Sequence, residues 1–278
     1  MRIRPMTPAD VSLGMRLKAQ AGWNQTEADW RRCLRLSPDG CFVAELDDTA
    51  VGTTVTILFG RVAWVAMVLV DEAVRGRGVG TALIQHALAF LDGRGVPSVR
   101  LDATPLGRPV YEKLGFVAEY PLARYAGVPG PAGRNAGVEP LRPATLPEIE
   151  CLDEPITQAD RSQLLRRLFE EYPDTFRVVR RDDTVVGFLT SRPGANAAQI
   201  GPCIAADEDA GRSLLADAAR RYAGQRIFID VPRPNEPARR AAEALGLTVQ
   251  RELLRMGRGE PVAEAVDLLW ASSGPEKG

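Results

Sequence analysis

The chain repeats itself. Asp47-Asp48-Thr49-Ala50-Val51-Gly52 returns as Asp182-Asp183-Thr184-Val185-Val186-Gly187, Gly80 to Leu83 as Gly211 to Leu214, Arg100-Leu101-Asp102 as Phe228-Ile229-Asp230, and Leu114-Gly115-Phe116 as Leu245-Gly246-Leu247. Four matches in one order and at similar intervals point to a duplicated supersecondary arrangement. Whatever the first half folds into, the second must be able to adopt in outline. The 278 residues suit two domains, and a hydrophobic fraction of 45% gives each half enough apolar side chain for a core. In residues 126–138, AGVPGPAGRNAGV, glycine and proline displace all apolar periodicity, which predicts a linker or exposed crossover. The reading is therefore a domain over 1–125, a linker over 126–138, a second domain over 139–258 and a tail over 259–278. The tail holds one short apolar run, Ala263 to Trp270, and a polar end expected to fray.

Within the first half, Thr7 to Gln20 and Thr26 to Leu36 read as helices. Cys41 to Leu46, Val51 to Leu58 and the almost wholly apolar Val62 to Val70 read as strands of a meander joined by short turns. Gly78 to Leu91 carries Val79, Leu83, Ala87, Leu88 and Leu91 on one helical face, and Val99 to Ala103 is a further strand. Pro109 opens a short helix that Gly115 closes. This order is that of a mixed α/β domain.

A net charge of −1 supplies no general drive toward nucleic acid or membrane, and no apolar run approaches the roughly 20 residues that cross a bilayer. Nothing at the start of the sequence resembles a signal peptide, which predicts a cytoplasmic protein. The cysteines Cys33, Cys41, Cys151 and Cys203 form no Cys-x-x-Cys pair and are expected to be free thiols. The single histidine, His86, falls in an amphipathic helix, so a hydrolytic triad and a zinc site are both unexpected.

The most informative segment runs from Val68 to Thr81: a buried strand ends, an arginine–glycine loop follows, and a helix begins. Glycines let backbone amides converge on an anion, and the helix start adds unpaired N–H groups and the positive end of a dipole. Arg75 and Arg77 add charge. The segment lacks the Gly-Lys pair of a nucleotide phosphate loop. From Gly76 or Gly78 the third position of a dinucleotide fingerprint falls on Thr81 or Leu83, so that pattern fails too.

Arg75-Gly76-Arg77-Gly78-Val79-Gly80 resembles the Gln/Arg-x-x-Gly-x-Gly/Ala acetyl-CoA motif of the GNAT acetyltransferase superfamily, and Pro109-Val110-Tyr111-Glu112-Lys113-Leu114-Gly115-Phe116 resembles its later Tyr-Glu-Lys-x-Gly-Phe segment. The resemblance covers about residues 2 to 125. The second half is similar, faintly, to the weaker second domain of tandem GNAT proteins. It implies two tandem domains, each a mostly antiparallel mixed sheet flanked by helices, and an enzyme that passes an acetyl group from acetyl-CoA to an amine without a metal. By analogy, backbone groups of Val68 and Val70, with Leu69 between them, would meet the pantetheine arm. Amides from Arg77 to Thr81, with Arg75, would hold the pyrophosphate across the Arg75–Thr81 loop. An N–H near Val68 would stabilise an oxyanion, and Tyr111 would protonate the departing thiolate. A non-catalytic acyl-CoA sensor is the alternative.

The general base stays open among Glu45, Asp71, Glu72 and Asp102. Asp102 recurs as Asp230, which favours a structural role such as accepting backbone hydrogen bonds. Where the first half has Arg75-Gly76-Arg77-Gly78 the second has Ala206-Asp207-Glu208-Asp209, and the counterpart of Tyr111 is Ala242. Carboxylates repel a pyrophosphate, so the second half reads as inactive, walling off the acceptor site or standing in for a second subunit. Trp23 and Asn24, with Gln25, lie between the first two helices and are candidates for acceptor binding. A small-molecule amine is the expected partner, with the protein a monomer of two pseudo-dimeric halves or a homodimer.

Overall fold

The structure, a computed structural model, describes residues 1–132 and 137–278. The first half runs β1 (Arg2–Pro5), α1 (Val11–Gln20), α2 (Glu27–Leu36), β2 (Cys41–Leu46), β3 (Thr49–Phe59), β4 (Val62–Val70), α3 (Val79–Asp92), β5 (Ser98–Ala103), α4 (Arg108–Lys113) and β6 (Val117–Gly127). The second half repeats this order as β7 (Val138–Pro140), α5 (Leu146–Thr157), α6 (Ser162–Glu171), β8 (Arg177–Arg181), β9 (Thr184–Arg192), β10 (Ala198–Ala205), α7 (Glu208–Arg221), β11 (Ile227–Pro232), α8 (Glu236–Ala244) and β12 (Thr248–Gly259), then adds β13 (Leu269–Ala271). The repeated aspartate pair has a local reason. Asp47 and Asp48 have φ of 48° and 59°, Asp182 and Asp183 of 45° and 63°. Two consecutive left-handed residues make the tight turn whose twist matches a hairpin, and aspartate tolerates that conformation better than most side chains.

Among the described residues all strands join one sheet in the order β1-β2-β3-β4-β5-β12-β6-β11-β10-β9-β8-β7, with β13 against β10. Pairing is antiparallel except between β4 and β5 and between β10 and β11. The order shows an exchange: β12 of the second half lies between β5 and β6, and β6 of the first lies between β12 and β11. The register makes the exchange symmetric. Tyr120 faces Arg255 and Arg124 faces Arg251 across the β6–β12 ladder, and the Leu-Gly-Phe/Leu repeat equates Tyr120 with Arg251 and Arg124 with Arg255. Each pair is thus the image of the other about a pseudo-twofold axis, as in an isologous dimer.

The exchange is locked by two buried ion pairs related by the same axis. Arg255 Nε and Nη2 donate to the two Asp102 oxygens at 2.7 and 3.1 Å, and Arg124 Nε and Nη2 to those of Asp230, both at 2.7 Å. Asp102 therefore does have a structural role, but its partner is a guanidinium from the other half rather than backbone amides.

One further expectation is corrected. The polar end of the chain does not fray: Ser272, Ser273, Glu276 and Lys277 are buried. Its polar groups have internal partners. Pro275 O accepts from Trp64 Nε1 at 3.0 Å, Gly278 O from Arg161 Nη1 at 2.9 Å, and Glu276 from Gln25 Nε2 at 2.8 Å as well as from Arg192 and Lys277. Asp29 of α2 joins this network through Arg192 and Arg32. Although burial acts to raise it, Arg192 and Lys277 hold its carboxyl below the usual range. Of the glycine-rich connection, residues 133–136 lie outside the described residues, while Gly130 N already donates to Leu245 O at 2.8 Å.

Removing one member of a buried ion pair strands the other, at a cost of about 3–5 kcal/mol. Arg255→Met should lower unfolding stability by that amount. Adding Asp102→Leu should recover most of it, an interaction readable in a double-mutant cycle by urea denaturation. Additive losses would contradict the pairing.

Candidate active site

β4 and β5 pair only from Val62 to Trp64 against Ser98 to Arg100, and then diverge. The other edge of β4 stays with β3, where Leu69 faces Thr53 and Asp71 N donates to Val51 O at 2.8 Å. Successive residues of a strand turn their N–H groups to opposite edges. With Leu69 and Asp71 engaged with β3, Val68 and Val70 turn theirs to the widening gap. A bulge just before them, with Met67 at φ 52°, is held by Thr53 Oγ1 donating to Met67 O at 2.9 Å.

Beyond β4, Asp71 caps a short 3-10 turn by accepting from Ala73 N at 3.1 Å, and Arg75 Nε donates to Val70 O at 3.1 Å. Gly76 and Gly78 follow with φ of 78° and 79°, the left-handed region where any other residue is strained. Helix α3 then starts with no side chain capping it. Among the described residues the amides from Arg77 to Thr81 donate no hydrogen bond. The turn is open.

The gap and the turn form one cleft of about 810 Å³. Val68, Leu69, Val70, Arg75, Gly76, Gly78, Val79, Gly80, Thr81 and Tyr111 all line it; Arg77 does not, and its side chain lies exposed outside. The Tyr111 ring lies against Gly107 and meets Phe116 edge-on at 5.9 Å. Burial pushes its phenol up to about 12, and its hydroxyl has no hydrogen-bond partner among the described residues. Trp23 lines the cleft, as does Gln25. Asn24 does not. Its side chain is buried and spent on the second half, donating to Ala197 O at 3.0 Å and accepting from Asn196 N and Ala197 N at 2.9 and 3.1 Å. It is an inter-half clamp rather than an acceptor ligand.

Of the carboxylates considered for proton removal, Glu45 pairs with Arg4 and Asp71 with Arg16. Glu72 does not line the cleft. Asp102 does, with both oxygens taken by Arg255. The strand exchange brings in Arg251 and Leu253, and the C-terminal segment Pro275 and Glu276, lining residues that the sequence did not announce. Arg251 reaches the cleft only because β12 crosses over, and no local pattern marks that.

The second half has filled its own equivalent. β10 and β11 also part after Ile200, but β13 occupies the gap, pairing with β10 at Cys203 and Ile204 while Ser272 N donates to Asp230 O at 2.9 Å. Trp270 sits on Gly211, the counterpart of Gly80, so closely that a Cβ there would lie 2.0 Å from the indole. Asp207 caps α7 by accepting from Ala210 N at 3.0 Å, a carboxylate standing where the first half leaves amides free.

His86 packs edge-on against Phe42 at 4.6 Å, and the four cysteines are free thiols. No helix among the described residues is long and apolar enough to cross a membrane. A splayed strand opening onto an uncapped helix start, with a phenol in the same cleft, suits an acyltransferase. Comparisons with known proteins agree. Residues 15–116 match the acetyltransferase (GNAT) family, and residues 149–271 an acetyltransferase (GNAT) domain. A provisionally named acetyltransferase of Pyrococcus horikoshii superposes with a TM-score of 0.86 at 25% identity, covering 100% of this chain and 95% of that one. An uncharacterized N-acetyltransferase of Bacillus subtilis, YitH, is 25% identical over 80% of this chain and 79% of its own length. A rice glucosamine 6-phosphate N-acetyltransferase is 33% identical over 42% of this chain and 81% of its own. The chain belongs to the GNAT superfamily, as a tandem member with N-acetyltransferase machinery.

Members of this superfamily use acetyl-CoA. With one open turn and one filled by its own tryptophan and aspartate, calorimetric titration with coenzyme A should saturate at one molecule per chain. Two sites would contradict the difference described between the halves.

Proposed function

We propose that the first half transfers an acetyl group from acetyl-CoA to the amine of a small molecule by direct attack in a ternary complex. The observation that carries this reading is the joint placement, in one cleft, of the unbonded amides from Gly78 to Thr81, the gap-facing edge of Val68 and Val70, and the Tyr111 phenol. Acetyl-CoA would bring a thioester already activated for attack. The Arg77–Thr81 amides and Arg75 would hold its diphosphate, each charge-assisted hydrogen bond contributing about 1.5–3 kcal/mol. Val68 N–H would donate to the carbonyl oxygen as it gains negative charge. As the amine nitrogen bonds to the carbonyl carbon and the C–S bond breaks, Tyr111 would give its proton to the sulfur. Both cleft carboxylates, Asp102 and Glu276, are committed to cations, so the amine's proton would pass to water. The second half would serve as a wall of the acceptor site and as the built-in partner of a pseudo-dimer, which favours a monomer. The rice relative acts by name on a phosphorylated amino sugar; for this chain that supports a compact amine acceptor.

Three results test the reading. Tyr111→Phe should reduce kcat by about 10²- to 10⁴-fold while changing coenzyme A affinity little; tight coenzyme binding without turnover in the wild type would instead indicate a sensor. Because Tyr111 must be protonated to act and is pushed up to about 12, kcat/KM should rise with the acceptor's own deprotonation and show no alkaline fall below about pH 10. A fall centred near pH 8–9 would assign the acid elsewhere. Gly78→Asp puts a side chain at φ 79° and a carboxylate at the helix start. It should weaken coenzyme A binding by at least about 100-fold, and unchanged affinity would remove the diphosphate site from the loop.

A further inference from the structure

The charged side chains lining the cleft are Arg75, Asp102, Arg251 and Glu276. Arg75 is exposed at the loop and bonded to Val70 O. Asp102 is neutralised by Arg255, and Glu276 by Arg192 and Lys277. The Arg251 side chain has no ion pair and no hydrogen bond among the described residues, and its Nε is buried without a partner. Its neighbour across the ladder, Arg124, is spent on Asp230. Burial and Arg124 together lower the guanidinium to about 10, because the charges of Asp230, Glu276 and Asp102, each already paired with another cation, offset them only in part. A second orphan lines the same cleft: Gln25 is 2% exposed, its Nε2 donates to Glu276, and its Oε1 has no donor. Buried polar groups left unpaired cost stability unless something pairs them.

The comparison between halves sharpens the point. The counterpart of Arg251 is Tyr120, which faces the opposite side of the exchange and is satisfied there, its hydroxyl donating to Glu264. Only the member of the pair that crosses into the open cleft is left wanting an anion.

We propose that Arg251 and Gln25 form an acceptor subsite, and that the acceptor is a small amine carrying an oxyanion group, a carboxylate or a phosphate. The group would lie in the fork of Arg251, as planar guanidinium favours, while Gln25 Oε1 would accept from an acceptor N–H. This rests on the transfer reading above and adds the substrate's charge to it. The second half is then a contributor of specificity through one residue carried over on the exchanged strand.

The test uses the full-length enzyme, acetyl-CoA and matched amines that differ in the anion: β-alanine against 3-aminopropanol, and 2-aminoethyl phosphate against ethanolamine. At least one acidic member should show the higher kcat/KM, and the pair in which it does so separates carboxylate from phosphate. Arg251→Ala should erase that preference by raising KM about 10- to 100-fold for the acidic member, Arg251→Lys should restore part of it, and the melting temperature of Arg251→Ala should not fall, since no internal partner is lost. Equal use of acidic and neutral amines, or an acidic preference that survives Arg251→Ala, would overturn the proposal while leaving the transferase reading intact. If coenzyme A binds but no amine is acetylated, calorimetry of β-alanine and 2-aminoethyl phosphate into the coenzyme-loaded protein decides: binding lost in Arg251→Ala supports the subsite, and no binding refutes it.

Discussion

Everything in this molecule turns on the exchange of β6 and β12. Two copies of one fold could have been strung side by side; instead each gives the strand after its short helix to the other, and the sheet runs unbroken through both. The Asp102–Arg255 and Asp230–Arg124 pairs fix the register of that exchange. Each is bidentate and buried, so a slip of one residue would leave four charges unpaired in the interior. Such pairs add little net stability over a well-packed apolar alternative, but they make the wrong pairing costly. The same crossing carries Arg251 and Leu253 into the cleft of the first half, where the C-terminal segment adds Pro275 and Glu276, so site and scaffold are built by one topological feature.

The duplication also shows how one fold yields an open cleft and a closed one. Both halves begin a gap where two parallel strands part. In the first, left-handed glycines and an uncapped helix leave amides without partners. In the second, the chain supplies the missing partners itself: β13 for the strand edges, Asp207 for the helix start, Trp270 for the space above Gly211. Unpaired backbone in a protein interior must be satisfied by something; in the first half no group among the described residues does so at the start of α3.

Much of this was legible in the sequence. The α2 helix, the β2–β4 meander and the α3 helix follow from periodicity and turn chemistry, the latter visible twice as Asp-Asp. The Arg75–Gly80 and Pro109–Phe116 segments resembled a known superfamily, and the tandem GNAT architecture followed. What stayed hidden was non-local. β6 and β12 have no clean alternation, because they are central strands whose neighbours come from the other half. The last residues read as a frayed end because Ser, Glu and Lys are normally solvated; here Arg192, Gln25 and Arg161 lie more than eighty residues away in the chain and receive them. Asn24 was a plausible ligand beside Trp23 and proved to be a clamp on residues 196–197. Arg251 offered no signal at all, since its position depends on which strand lies beside which.

The central claim is that the amides from Arg77 to Thr81 are held open for a diphosphate. Amide hydrogen exchange with and without coenzyme A tests it directly, because free amides exchange quickly and hydrogen-bonded ones do not. The account predicts that coenzyme A slows exchange at the start of α3 and along Val68 to Val70, leaving the start of α7 as it was. Unaltered exchange at the α3 start under saturating coenzyme A, or protection appearing at α7 instead, would contradict it.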